Sequence, residues 1–168
     1  MYKKDELFKK IVLILKNQKL NIPDAKVCAN ALINAELVGA PSHGVSRLKM
    51  YCDRIKKKLI NPNPKIKIKK ISKSISSVDA KNSIGFVSAS VATKEVIKNA
   101  KASGIGIVGV KNSGHYGLSG YYIEKIVKNN LIGLCFTNAP PAIAPYGSKK
   151  SLFGTNPICF GAPTHKKI

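Results

Sequence analysis

Two short stretches of this sequence bring together residue types able to do chemistry. The first is Pro41-Ser42-His43-Gly44-Val45-Ser46-Arg47, preceded by Gly39 and Ala40. Its histidine can exchange a proton near neutral pH, and its arginine presents a planar fork that matches a carboxylate. On a helix running from 44 to 54, Arg47 would follow His43 by about one turn and lie on the same side. That pairing suits a carboxylate-bearing molecule whose neighbouring oxygen gains or loses a proton. The same residues admit a structural reading, with Ser42 capping the helix and Arg47 paired with a surface acid. The second stretch is Asn112-Ser113-Gly114-His115-Tyr116-Gly117-Leu118-Ser119-Gly120. Its regularly spaced glycines strip side chains from the loop, so backbone N–H groups can approach a ligand at the start of the following helix. An imidazole between two glycines marks this loop as the floor of a small-molecule site, on the wall opposite His43, with the Arg47 guanidinium between the two rings.

The elements that must hold these stretches are legible around them. Residues 105–110 form an apolar run that reads as a buried strand leading into the His115 loop, and 121–130 read as an amphipathic helix leaving it. Before His43, residues 5–20 carry Phe8, Ile11, Val12 and Leu15 at helical spacing. Asn21-Ile22-Pro23-Asp24 breaks that helix and starts another, whose stripe is Val27, Ala31, Ala35 and Val38. A basic connection at 56–64 leads to two strands, 65–71 and 75–80, joined by a short Ser/Lys turn, with Asp79 as a turn or capping acid. Residues 85–102 read as a helix with Val87, Val91, Val96, Ile97 and Ala100 toward its buried side. A strand at 131–137 ends at Asn138. The proline-rich run 139–147 must then lie extended, and Thr155 and Asn156 stand between a glycine and a proline before a short apolar run at 158–162. The pattern predicts an α/β protein: a helical region over 1–60 and an α/β region over 65–168.

Composition narrows the class. The chain has 168 residues and a hydrophobic fraction of 44%, enough for a real core. No apolar run approaches the ~20 residues of a membrane span. Residues 11–15 are too short for a signal-peptide core and lead to no small-residue cleavage site. Cys28, Cys52, Cys135 and Cys159 lack metal-ligand spacing and sit among apolar neighbours, which reads as reduced core thiols of a cytoplasmic protein. The net charge of +21 suggests an anionic partner, yet only Arg47 and Arg54 are arginines. Nucleic-acid readers favour arginine forks interleaved with exposed aromatics, so the lysines read as solvated faces, with no nucleic-acid and no membrane partner. The reading from another class is a non-catalytic lysine-rich module that holds an anionic ligand or partner.

One apparent fingerprint is a decoy. Gly104-Ile105-Gly106-Ile107-Val108-Gly109 matches G-x-G-x-x-G, which belongs in a turn after a strand and opening a helix. Here the intervening residues are apolar and β-branched, placing the glycines in a strand, and the fold reads as non-Rossmann.

Five motifs in order resemble those of one family. They are Pro41-Ser-His-Gly-Val-Ser-Arg-Leu, Asn112-Ser-Gly-His-Tyr-Gly, Thr137-Asn-Ala-Pro-Pro, Ala144-Pro-Tyr-Gly and Gly154-Thr-Asn-Pro-Ile. Together they are similar to the type-2 malate/L-lactate dehydrogenase family, across essentially the whole chain. The resemblance implies hydride transfer between NAD or NADP and a small 2-hydroxy or 2-oxo acid, on a largely antiparallel mixed sheet with a separate helical region, in a homodimer. It implies that His43 is the acid/base with Ser42 beside it, and that Arg47 grips the substrate carboxylate. It implies that His115 is a second catalytic histidine or lies beside the cofactor. Gly117, Asn138, Pro140, Thr155 and Asn156 fall in segments that would approach the cofactor. Family members are roughly twice as long. This chain stops at Lys166-Lys167-Ile168, ahead of the Asp-containing segment the family uses, so the fold is expected to be incomplete and the chain alone inactive.

Overall fold

A computed structural model describes residues 2–164. The last residues, where the sequence reading places the stop before the Asp-containing segment, lie outside the described part. Three helices come first: α1 (Lys4–Asn17), α2 (Ile22–Leu37) and α3 (Leu48–Lys56). The Asn21 side chain accepts from the Asp24 N–H at 2.8 Å and Pro23 sits in the first turn, so α2 starts where its cap and proline dictate. Ile11 and Leu15 bury the α1 stripe. On α2 the buried face is wider than the expected one, running through Ala25, Cys28, Leu32 and Ala35, while Val38 is exposed. Val38 lies past the helix end, where Gly39 turns the chain away at φ +74°.

The second region alternates strands and helices. Strand β1 (Lys67–Lys70) pairs antiparallel with β2 (Ile75–Ser83), and β2 pairs parallel with β3 (Ile107–Ser113) across helix α4 (Gly85–Ser103). Helix α5 (Gly120–Val127) follows, then β4 (Gly133–Phe136) and β5 (Ile158–Gly161), an antiparallel pair. The sheet is therefore mixed, in an α/β fold. Helices α1, α2 and α3 and the start of α4 share one apolar core, in which Leu32, Tyr51 and Phe86 are fully buried. Asp79 is structural: it accepts from the Lys81 N–H and from Asn112 Nδ2, tying the irregular end of β2 to the end of β3.

Three expectations need correction. The run at 105–110 is not a buried strand. Strand β3 begins two residues later at the edge of its sheet, and Ile107 and Val110 are 52% and 41% exposed. Apolar periodicity records a tendency to be covered, not whether a neighbour is there to do it. The decoy glycines are likewise not all in a strand. Gly104 closes α4 in the left-handed region at φ +78°, and only Gly109 lies inside β3. Finally, Cys28 and Cys52 are buried core thiols, but Cys135 and Cys159 are half-buried and directly opposed across β4 and β5.

Candidate active site

The His43 segment is shaped by short-range hydrogen bonds. In place of the expected helix over 44–54, two 3₁₀ turns, Pro41–His43 and Val45–Arg47, precede α3. Gly44 interrupts them with ψ −144°, and the Val45 N–H donates to Glu36 Oε1 at 2.7 Å. A Cβ at Gly44 would stand 2.2 Å from that carboxylate oxygen, so glycine lets Glu36 reach in from α2. Ser46 Oγ donates to the Pro41 carbonyl and Arg47 Nε to the Ser42 carbonyl, each at 2.6 Å. Ser42 Oγ lies 3.0 Å from His43 Nδ1. Neither alternative in the structural reading is realised: Ser42 makes no cap bond and Arg47 pairs with no acid among the described residues.

The His115 loop rests on the start of α4. Gly85 lacks a side chain where the Gly114 and His115 carbonyls pass; a Cβ there would stand 2.4 and 2.3 Å from their oxygens. Of the three loop glycines, Gly114 and Gly120 face open space, and only Gly117 is demanded by its surroundings. Gly117 adopts φ +80°, and a Cβ on it would meet the Phe86 ring at 2.5 Å. Left-handed strain and overpacking act together at that position. Gly117→Ala is expected to lower the unfolding free energy by about 2–4 kcal/mol. Urea denaturation of the chain checks this, and an unchanged midpoint would contradict it.

The two histidines meet. Their ring centroids are 5.8 Å apart and the planes 27° from parallel, too close for a guanidinium to lie between them. The expected order of imidazole, guanidinium and imidazole is thus corrected, because Arg47 is turned aside by its bond to the Ser42 carbonyl. A third residue, Tyr51 of α3, reaches His115: its hydroxyl lies 2.6 Å from Nδ1, and the Gly117 N–H donates to the same nitrogen at 3.3 Å. Tyr51 packs on Phe86, with ring centroids 4.9 Å apart. His115 keeps an open face to solvent while this edge is covered. Burial, then the charges of His43, Arg47 and Arg54, hold its pKa below the ordinary histidine value.

Sequence reasoning passed over Tyr51, Arg54 and Glu36. Arg47, Tyr51 and Arg54 are spaced as one helical face, which could have drawn attention to the last two. Glu36 had no such signal, since its role depends on α2 lying against the 3₁₀ turns.

The remaining predicted residues form a second group. Asn138, Pro140, Thr155 and Asn156 are exposed, and Asn156 Oδ1 accepts from the Ala139 N–H at 2.8 Å, joining the two loop segments. Among the described residues no hydrogen bond or ring contact runs from these four to either histidine. The loops are joined indirectly, through Tyr116, whose hydroxyl touches both Ser119 Oγ and Cys135 Sγ. Two shallow surface grooves, one along α3 and one where α1 and α3 end, contain neither histidine.

Paired imidazoles beside a guanidinium define a site suited to moving a proton on an anionic small molecule. The chain belongs to the malate/L-lactate dehydrogenase family, whose model matches residues 2–168. It is 45% identical to a malate dehydrogenase of Pyrococcus abyssi, over 98% of this chain and 45% of that protein. It is 38% identical to an L-sulfolactate dehydrogenase of Methanocaldococcus jannaschii, over 99% of this chain and 48% of that one. The solved malate dehydrogenase of Pyrococcus horikoshii OT3 superposes with a TM-score of 0.93 at 41% identity, over 98% of this chain and 47% of that one. The chain spans about half the length of these relatives.

Proposed function

We propose that this chain carries the proton-transfer and carboxylate-binding part of an NAD(P)-dependent dehydrogenase acting on a small 2-hydroxy or 2-oxo acid. The observation that carries the reading is the meeting of His43 and His115, with Arg47 held beside them through Ser42. In this reading His43 donates its Nδ1–H to Ser42 Oγ, which leaves the Nε2 lone pair to take the hydroxyl proton during oxidation and return it during reduction. Arg47 Nε is occupied by the Ser42 carbonyl, so its two terminal nitrogens remain for a substrate carboxylate.

The residues fit the nicotinamide end of the cofactor. Gly114, next to His115 in the chain, leaves open space, and Asn138 and Thr155 present exposed polar side chains on the loops after β4 and before β5. NAD(P) would supply the hydride acceptor or donor for the substrate's C2. Asn138, Pro140 and Thr155 would hold it, whereas Asn156 acts by bracing Ala139 and Gly117 by shaping the His115 loop.

The chain works together with more of the family polypeptide. Its span of about half a relative supports this, as does the outer face of β4 and β5. There Leu134 opposes Phe160 and Phe136 opposes Ile158, all four more than half exposed. The purified 168-residue chain should therefore show little or no oxidation of NADH or NADPH with 2-oxo acids. Robust turnover by this chain alone would refute that part of the reading. Activity with 2-oxo acids in a form extended to the family's length tests the rest.

A further inference from the structure

Two donors converge on one nitrogen of His115. The Gly117 N–H can only donate, so the hydrogen bond at 3.3 Å makes Nδ1 an acceptor. Tyr51 must then donate its hydroxyl proton to that nitrogen, over 2.6 Å. The phenol remains a donor throughout the working pH range, because its burial raises its pKa well above the ordinary tyrosine value. With Nδ1 unprotonated, a neutral imidazole carries its proton on Nε2. No protein hydrogen bond reaches Nε2 among the described residues. Tyr51 is itself fixed, being 1% exposed and packed on the Phe86 ring.

We propose that Tyr51 is a positioning residue that locks His115 in its Nε2–H tautomer, so that His115 serves as a neutral hydrogen-bond donor to the substrate oxygen and not as its base. This deepens the dehydrogenase reading and rests on it for the identity of the oxygen. In that reading His43 takes the hydroxyl proton, the hydride leaves C2, and no proton is lost from His115. As charge builds on the oxygen, a preset N–H stabilises it without reorganisation. A protonated His115 would turn an Nδ1–H against the Gly117 N–H and would require the Tyr51 hydroxyl to rotate its own proton away, so the arrangement also resists protonation. The charged groups facing the ring act in the same direction: His43 and Arg47 from the 3₁₀ turns and Arg54 from α3.

The test is a two-dimensional proton–nitrogen correlation of the histidine rings in the ¹⁵N-labelled 168-residue chain, titrated between about pH 8 and 5. Wild type should show the neutral His115 only as Nε2–H. Tyr51→Phe, which removes the donor but keeps the ring, should let the Nδ1–H form appear and move the His115 titration upward by about half to one pH unit. Phe86→Leu loosens the same packing and spares the hydroxyl, so it should leave the tautomer unchanged. An Nδ1–H signal for His115 in wild type would overturn the proposal, as would a Tyr51→Phe spectrum with unaltered tautomer and titration. These signals concern the ring alone, so they can fail while the dehydrogenase reading stands. In the form extended to family length, Tyr51→Phe should lower kcat about tenfold with KM little changed. An equal rise in KM with kcat intact would also count against the proposal.

Discussion

Replacing His43 with alanine, in a form of the protein extended to family length, is expected to lower kcat/KM by about 10²–10⁴-fold. The size follows from the geometry around the ring. In the proposed tautomer His43 donates its Nδ1–H to Ser42 Oγ, whereas the neighbouring imidazole accepts at its Nδ1 from Tyr51 and Gly117 and so carries its proton on Nε2. Only Nε2 of His43 is then left as a nearby nitrogen lone pair able to take the hydroxyl proton. Without it, solvent must act as base, and water lacks both the basicity and the fixed position. Because proton transfer occurs in the transition state, the loss should fall mainly on kcat, with KM nearly preserved. Steady-state kinetics in the direction of 2-hydroxy acid oxidation measure it. A loss under about threefold would remove His43 from the mechanism.

Arg47→Lys in the same extended form is expected to raise KM for 2-oxo acids by about 10–100-fold, with a smaller change in kcat. Arginine does two jobs here. Its Nε–H is committed to the Ser42 carbonyl at 2.6 Å, which anchors the segment carrying His43, while its terminal nitrogens stay available to a carboxylate. An ammonium keeps the charge but is a single point, so it cannot hold Ser42 and offer a planar fork together. The carboxylate is bound equally in the ground and transition states, which places the effect on KM. Unchanged affinity for 2-oxo acids would count against the assignment. A fall in kcat comparable to that of the His43 variant would instead assign Arg47 to holding the imidazole.

The contrast between the two histidines and Tyr51 shows where the sequence was sufficient. His43 and His115 stand out because glycines flank them, and a glycine-lined loop is a local feature. Tyr51 lies in an ordinary amphipathic helix, where an aromatic is expected to be core. It is core, at 1% exposed, and its hydroxyl becomes meaningful only because β3 delivers His115 to it from 64 positions away. The loop glycines show the same limit. Spacing treats Gly114, Gly117 and Gly120 alike, but contact with Phe86 singles out Gly117. In β3 the error ran the other way, since an apolar pattern promised cover that an edge strand does not have.

By itself the sequence determined the helix boundaries set by caps and breakers, the α/β order of elements, the family, and which imidazoles and guanidinium to look for together. These follow from interactions among residues close along the chain, or from motifs that keep their spacing. Only the tertiary structure decided that the two rings meet, that Arg47 turns to Ser42 and not between them, and that a buried tyrosine reaches His115. The Arg47 bond depends on how the two 3₁₀ turns fold on each other, and the other two depend on the loop after β3 arriving beside the 3₁₀ turns and α3. Local propensity carries no information about which distant hydroxyl or ring will arrive at a given nitrogen.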